Sequence, residues 1–221
     1  MDAARELIKQ NPPDGSAVYA DFQEQGRGRV SGRKWMGKKG ESLLVTFLFK
    51  TGSIAFPLSS FPLYAGYVTA ISLTELYGIG CRVKWPNDVL VDGEKIAGIY
   101  CECVDGYISC GIGINLLQES FDPGWHRKGC SVKSVSGIVA DREVLLKRMI
   151  ENFILNLKNF SWLKDFQTVL YKNKQNITVL EGLADAGTSI TGVLEGVGEN
   201  GQMLIKLADG SVHEVYTGEI Q

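Results

Sequence analysis

Residues 82–115 read RVKWPNDVLVDGEKIAGIYCECVDGYISCGIGIN, a run of short apolar segments broken by turn signals. Residues 82–85 and 89–91 are predicted as short strands on either side of Pro86-Asn87-Asp88. Asp92-Gly93 and Asp105-Gly106 are two-residue hairpin signals, because both positions of a type I′ turn need positive φ. Residues 96–104 and 107–114 are therefore expected to pair around the second of them. In Gly111-Ile112-Gly113-Ile114-Asn115, glycines alternate with isoleucines, so one face of the last strand is bare backbone. Glycine weakens a strand, and its usual reason there is the close approach of a ligand or of another chain segment.

Outward from this run, residues 63–77 have the pattern of a helix ended by Gly78, and residues 43–49 that of a buried strand. Further upstream a helix is predicted over residues 2–10 and a strand over 17–22; downstream, one long helix over 141–160. After Asn176, short β-like runs alternate with glycines, and Glu199-Asn200-Gly201 and Asp209-Gly210 mark further hairpins. The expected fold is α/β (α+β): a mixed β-sheet packed by helices, residues 1–173, followed by a small SH3-like β-barrel, residues 174–221.

Composition narrows the function. A chain of 221 residues, 44% hydrophobic and 22% charged, is an ordinary globular protein long enough to bury a core. A net charge of -2 argues against a general nucleic-acid or membrane binder, so local basic clusters must be read as sites. No apolar run is long enough to span a bilayer, and the start of the chain lacks the basic and apolar regions of a signal peptide. Cys81, Cys101, Cys103, Cys110 and Cys130 form no Cys-x-x-Cys pair, which fits a reduced cytoplasmic protein. His126 and His213 are not at metal-ligand spacing.

Three constellations carry chemistry. The first is residues 23–35, where Gly26, Gly28 and Gly32 alternate with Arg27, Arg29 and Arg33 before Trp35. Glycines expose backbone N–H groups, and guanidinium forks match carboxylate and phosphate oxygens, so this loop reads as an anion cradle. The bland alternative, a basic RNA-binding loop, is disfavoured by its position between two apolar strands. The dinucleotide fingerprint fails on glycine spacing. The P-loop pattern fails because Lys39 stands where Ser or Thr should be and a strand follows. The second is Lys84-Trp85-Pro86-Asn87-Asp88 with Lys95 and Gly98 beyond the hairpin. Here Asn87 can donate and accept, and Asp88 can hold magnesium or orient a cation. Taken alone, these would be a tight turn and an exposed strand lysine. The third is the glycine-lined strand ending in Asn115, whose bland reading is a packing contact.

In this order, Gly-Arg-Gly-Arg…Gly-Arg-x-Trp, Lys-Trp-Pro-Asn-Asp…Lys-Ile-Ala-Gly and Gly-Ile-Gly-Ile-Asn resemble the biotin protein ligase family, in its form without an N-terminal DNA-binding domain. The resemblance covers nearly the whole chain. It implies an enzyme that uses ATP and Mg2+ to activate biotin as an adenylate and passes it to a lysine of a biotin carboxyl carrier domain. It implies that Gln23, Gly26, Arg27, Gly28, Arg29, Trp35, Asn87 and Lys95 contact biotin or the adenylate, with Arg29 and Lys95 as the catalytic cations. Asn115 would read adenine, Gly98, Gly111 and Gly113 would keep the pocket floor open, Trp125 would stack at the adenine end and Asp88 would bind Mg2+.

Two departures from the family pattern are legible. No Ser-Thr motif precedes the first helix, which predicts weaker hold on the ureido end of biotin and an open sheet edge through which a homodimer could form. Val30-Ser31 makes the stretch from Arg29 to Gly32 one residue longer than the common form, which bears on loop closure. Rival readings are a lipoate ligase relative, a catalytically impaired biotin or nucleotide binder and an RNA-binding module.

Overall fold

The computed structural model describes residues 1–26, 28–29, 35, 37–121, 128–182 and 187–221. The expectations for Arg27, for Val30 to Lys34, for Met36 and for Trp125 fall outside these residues. Among the described residues, the strands form two sheets. The first has the order β1 (Ser16–Ala20), β2 (Ser42–Lys50), β6 (Tyr107–Asn115), β5 (Glu94–Val104), β4 (Asp88–Val91), β3 (Arg82–Lys84). Its named pairings are antiparallel, and parallel geometry is confined to the bridges Val83↔Leu170 and Lys95↔Gly129.

Both hairpin signals act as the sequence implies. Asp92 and Gly93 have φ of 50° and 84°, and Asp105 and Gly106 have 47° and 78°. These paired positive φ values twist the chain back with the right-handed strand twist.

Period-two alternation then sorts the sheet into two faces. Leu43, Val45, Phe47 and Phe49 of β2 stand with Ile108, Cys110, Ile112 and Ile114 of β6 in the main core. That face is covered by α2 (Phe61–Tyr77) and α4 (Arg142–Leu157). The rings of Phe47, Phe49, Phe61, Tyr64 and Phe153 fill the layer between. The opposite face carries α1 (Asp2–Ile8) at one end, tied down by Arg5, whose guanidinium donates to both Glu102 oxygens at 3.0 and 2.8 Å. The rest of that face is the floor of a cavity.

Helix ends follow local chemistry. Gly78, at φ 67°, caps α2 in the left-handed region, and its N–H donates to the Thr74 carbonyl at 2.9 Å. Asp141 caps α4, accepting from the N–H groups of Glu143 at 2.8 Å and Val144 at 3.2 Å. Asp141→Ala is expected to lower global stability by about 1 kcal/mol, read from the urea unfolding midpoint; an unchanged midpoint would mean the cap is replaced by solvent at no cost.

The helix predicted over 141–160 is shorter. It stops at Leu157, the Asn159 side chain accepts from the Ser161 N–H at 2.6 Å, and a separate helix α5 (Trp162–Val169) begins. An Asx turn competes with the helical ladder. The break lets Phe160 and Trp162 reach Phe56 at ring-centroid distances of 5.9 and 5.4 Å. A further short helix, α3 (Val132–Ser136), opens on a Ser131/Ser134 capping box and is too short to carry a hydrophobic period that marks it in the sequence.

The second sheet is the small C-terminal β unit expected from the turn-rich sequence. Its antiparallel order is β10 (Val212–Val215), β9 (Met203–Lys206), β8 (Thr188–Val197), β7 (Asn176–Glu181), β11 (Gly218–Ile220). Its apolar face is not a separate core, since Ile177, Val179, Leu194, Met203, Ile205 and Ile220 join the same buried cluster as the first sheet. Among the described residues, no helix is long and apolar enough to cross a membrane.

Candidate active site

A cavity of about 800 Å³ opens on the sheet face away from α2 and α4. Strand register builds its floor. Ala20, Leu44, Gly113 and Gly98 form one row across β1, β2, β6 and β5, and Val18, Thr46, Gly111 and Tyr100 form the next. All eight line the cavity, and the side chains of the intervening Ile112 and Ile114 join the core. The Gly-Ile-Gly-Ile alternation thus hollows one face while it fills the other.

Trp35 lies on this bare strip. A Cβ at Gly113 would stand 2.5 Å from Trp35 Cε2, and one at Gly98 would stand 3.1 Å from Trp35 Cζ3. The Trp35 indole N–H is buried without a hydrogen-bond partner. Gly113→Val is therefore expected to displace Trp35, with a blue- or red-shifted tryptophan emission and at least a tenfold loss in ligand affinity at this cavity; unchanged emission and affinity would show that the indole does not use this seat.

Charge is concentrated at the end where β4 and β5 meet. Lys95 Nζ pairs with Asp88 Oδ1 at 2.6 Å and lies 5.8 Å from the Trp35 ring centroid. The Lys95 backbone is fixed on both sides: its N–H donates to the Lys128 carbonyl and its carbonyl accepts from the Cys130 N–H, each at 3.0 Å. Asn115 Nδ2 donates to the Cys130 and Lys95 carbonyls at 3.0 and 3.3 Å, and Asn115 Oδ1 accepts from Gln118. Burial pushes the Cys130 thiol up to about 12, so the sulfur behind this loop stays protonated and is no nucleophile.

Arg29 and the buried Lys84 also line the cavity, and both reach the second sheet. Arg29 Nη2 donates to the Gly218 carbonyl at 3.0 Å and Lys84 Nζ to the Ile220 carbonyl at 2.6 Å, with Glu219 between them at the cavity wall. The Trp85 indole adds a third tie, to the Gly201 carbonyl at 2.9 Å.

Most residues singled out from the sequence meet at this one cavity: Gln23, Gly28, Arg29, Trp35, Asn87, Asp88, Lys95, Gly98, Gly111, Gly113 and Asn115. Several already make contacts within the chain. Gly26 is absent from the wall; it is buried behind it, where a Cβ would collide with the Trp35 carbonyl at 2.1 Å. The Asn115 amide holds the Lys95 and Cys130 segments together. Asn87 Nδ2 is likewise committed, to the Ile99 carbonyl at 2.8 Å. Asp88, expected at a metal, is the partner of Lys95, and among the described residues no three His, Cys, Asp or Glu side chains gather as a metal site. Lys84 and Glu219 had no assigned role. A strand lysine beside a tryptophan gives no local sign of burial, and Glu219 reaches the cavity only through tertiary packing.

An antiparallel sheet with a glycine-floored cavity, walled by two lysines and an arginine, makes a pocket suited to an anionic ligand. The chain belongs to the biotin/lipoate A/B protein ligase family, whose model matches residues 2–118. It is 32% identical over 157 residues to the bifunctional ligase/repressor BirA of Bacillus spizizenii, covering 66% of this chain but spanning only 47% of that protein. It is 28% identical to the biotin–[acetyl-CoA-carboxylase] ligase of Paracoccus denitrificans, over 87% of this chain and 85% of the relative. The structure of a biotin protein ligase from Aquifex aeolicus in complex with biotin and ATP superposes with a TM-score of 0.83 at 28% identity, covering 98% of this chain and 93% of that one.

Proposed function

We propose that the chain is a biotin protein ligase that forms biotinyl-5′-AMP from biotin and ATP and transfers biotin to a lysine of a carboxyl carrier domain. The observation that carries this reading is the convergence of Lys95, Arg29 and Trp35 over the glycine floor of one cavity. Relatives and superposable structures that are named as biotin ligases support it.

The chemistry needs these residue types. A biotin carboxylate must approach the α-phosphorus of ATP, and both groups are anionic, so fixed cations must hold the charge that develops. Lys95, on a backbone held at three points, is a preorganised cation, and Arg29 is a second one facing the same space. Each has a protein acceptor, Lys95 the Asp88 carboxylate and Arg29 the Gly218 carbonyl. Substrate oxygens would compete for the same donors. The mixed anhydride must be kept from water, a task suited to the Trp35 indole lying along the floor. With Asp88 already paired, magnesium fits best as part of the incoming nucleotide chelate rather than as a resident ion. In this reading residues 1–173 carry the adenylation chemistry, residues 174–221 close one cavity wall, and the five free cysteines support a cytoplasmic location.

The test is to incubate the protein with biotin, ATP and Mg2+ and to measure pyrophosphate release and biotinyl-adenylate, with lipoate in a parallel arm. Biotin-dependent pyrophosphate is expected; release with lipoate alone would favour a lipoate ligase, and release with neither would favour a binder without turnover.

A further inference from the structure

Cys101 and Cys110 face each other across β5 and β6 as direct register partners, their sulfurs 3.4 Å apart. The backbone around them defines what kind of pair this is. The Ile99 N–H donates to the Asn87 carbonyl and the Ile99 carbonyl accepts from Asn87 Nδ2, so Ile99 points its backbone groups toward the β4 side. Backbone groups alternate along a strand, so Cys101 points the same way as Ile99, away from β6. Cys101 and Cys110 are therefore a non-hydrogen-bonded pair, the type in which Cα atoms lie about 4.5 Å apart and side chains are closest. That spacing falls inside the range a disulfide accepts, about 4.4–6.8 Å.

We propose that Cys101 and Cys110 are a reversible modification site: a dithiol that low-molecular-weight disulfides convert to an intramolecular disulfide while the cavity is retained. Cys101 is half-buried and Cys110 fully buried, so Cys101 is the thiol that attacks first. The Cys101 thiolate attacks the small disulfide, forming a mixed disulfide and releasing one small thiol. The Cys110 thiolate then attacks the Cys101 sulfur, forming the Cys101–Cys110 bond and releasing the second small thiol. Two protein thiols are oxidised and one small disulfide is reduced to two thiols. The second step outruns the first because its nucleophile is already in contact. Both sulfurs stand on the sheet face that packs against the helices, opposite Tyr100 and Gly111 of the cavity floor, so closure leaves the floor unchanged. Burial holds the Cys101 thiol well above its ordinary range, so the first step should speed up by about tenfold per pH unit below that value.

The experiment uses the full chain carrying Cys103→Ser, which removes the exposed thiol that would otherwise form adducts. The folded protein is exposed to oxidised glutathione and then digested after aromatic residues. Cleavage at Tyr107 separates the two cysteines unless they are bonded. A linked peptide pair, no retained glutathione, full reversal by dithiothreitol and biotin affinity within twofold of the reduced protein are expected. Cys101→Ser in the same background should leave Cys110 free. A stable glutathione adduct on either cysteine would overturn the proposal. So would free thiols at both positions under conditions that oxidise the urea-unfolded chain, or loss of the binding cavity on oxidation. The linkage result does not depend on whether the chain is a ligase, since it is read by peptide mapping; the affinity arm alone rests on the proposed function.

Discussion

Lys95→Ala is expected to slow biotinyl-adenylate formation by about 10²–10³-fold, the loss of roughly 2.7–4 kcal/mol of transition-state stabilisation seen when one preorganised charge-stabilising donor is removed. Two effects add. The variant removes a cation from the point where two anions must meet, and it leaves the Asp88 carboxylate, only 18% exposed, without its 2.6 Å partner. The freed carboxylate then repels the incoming phosphates. Lys95→Arg should recover only part of the rate, because a planar fork does not occupy the space of a compact ammonium above the Trp35 ring. Pyrophosphate release under saturating biotin and ATP reports the effect, and an unchanged melting temperature shows that the fold is intact. A folded Lys95→Ala protein that releases pyrophosphate at a near-normal rate would remove Lys95 from the chemistry.

Phe153→Ala is expected to destabilise the protein by about 3–5 kcal/mol, the usual cost of emptying a buried aromatic site. The ring is fully buried, with centroids 4.9 Å from Phe47, 5.0 Å from Phe49 and 5.6 Å from Tyr64. It joins α4 to the interior strand β2, whose other face floors the cavity. The Phe153 carbonyl also accepts from the buried Tyr64 hydroxyl at 2.6 Å, so any shift of α4 into the void strains that bond. Chemical denaturation of wild type and variant measures the difference. A change below about 1 kcal/mol would mean the surrounding rings collapse into the space and the layer is more plastic than its packing implies.

The site was legible where chemistry sits on one strand or one turn. The lysine, arginine and glycine positions that line the cavity stand in short motifs, and their spacing alone puts Gly111 and Gly113 on one face. What those motifs could not show is how their polar groups are already spent. Asn115 looks like a free amide at a strand end, yet it is 2% exposed and bonded to three neighbours. Gly26 looks like part of an anion cradle, yet its lack of a side chain serves the passage of the Trp35 backbone.

By itself the sequence determined what depends on neighbours a few residues away. The hairpins at Asp92-Gly93 and Asp105-Gly106, the stop of α2 at Gly78 and the hollow face of β6 all follow from backbone sterics and a period of two. Tertiary structure decided the rest. The helix break after Leu157 follows where Phe160 and Trp162 find their aromatic partners in the core. Lys84 is buried because the last strand folds over it, and Arg29 is held by Gly218, 189 residues away in the chain. A contact across that separation leaves no mark on local pattern, because its stabilisation comes from surfaces that meet only after both sheets have formed.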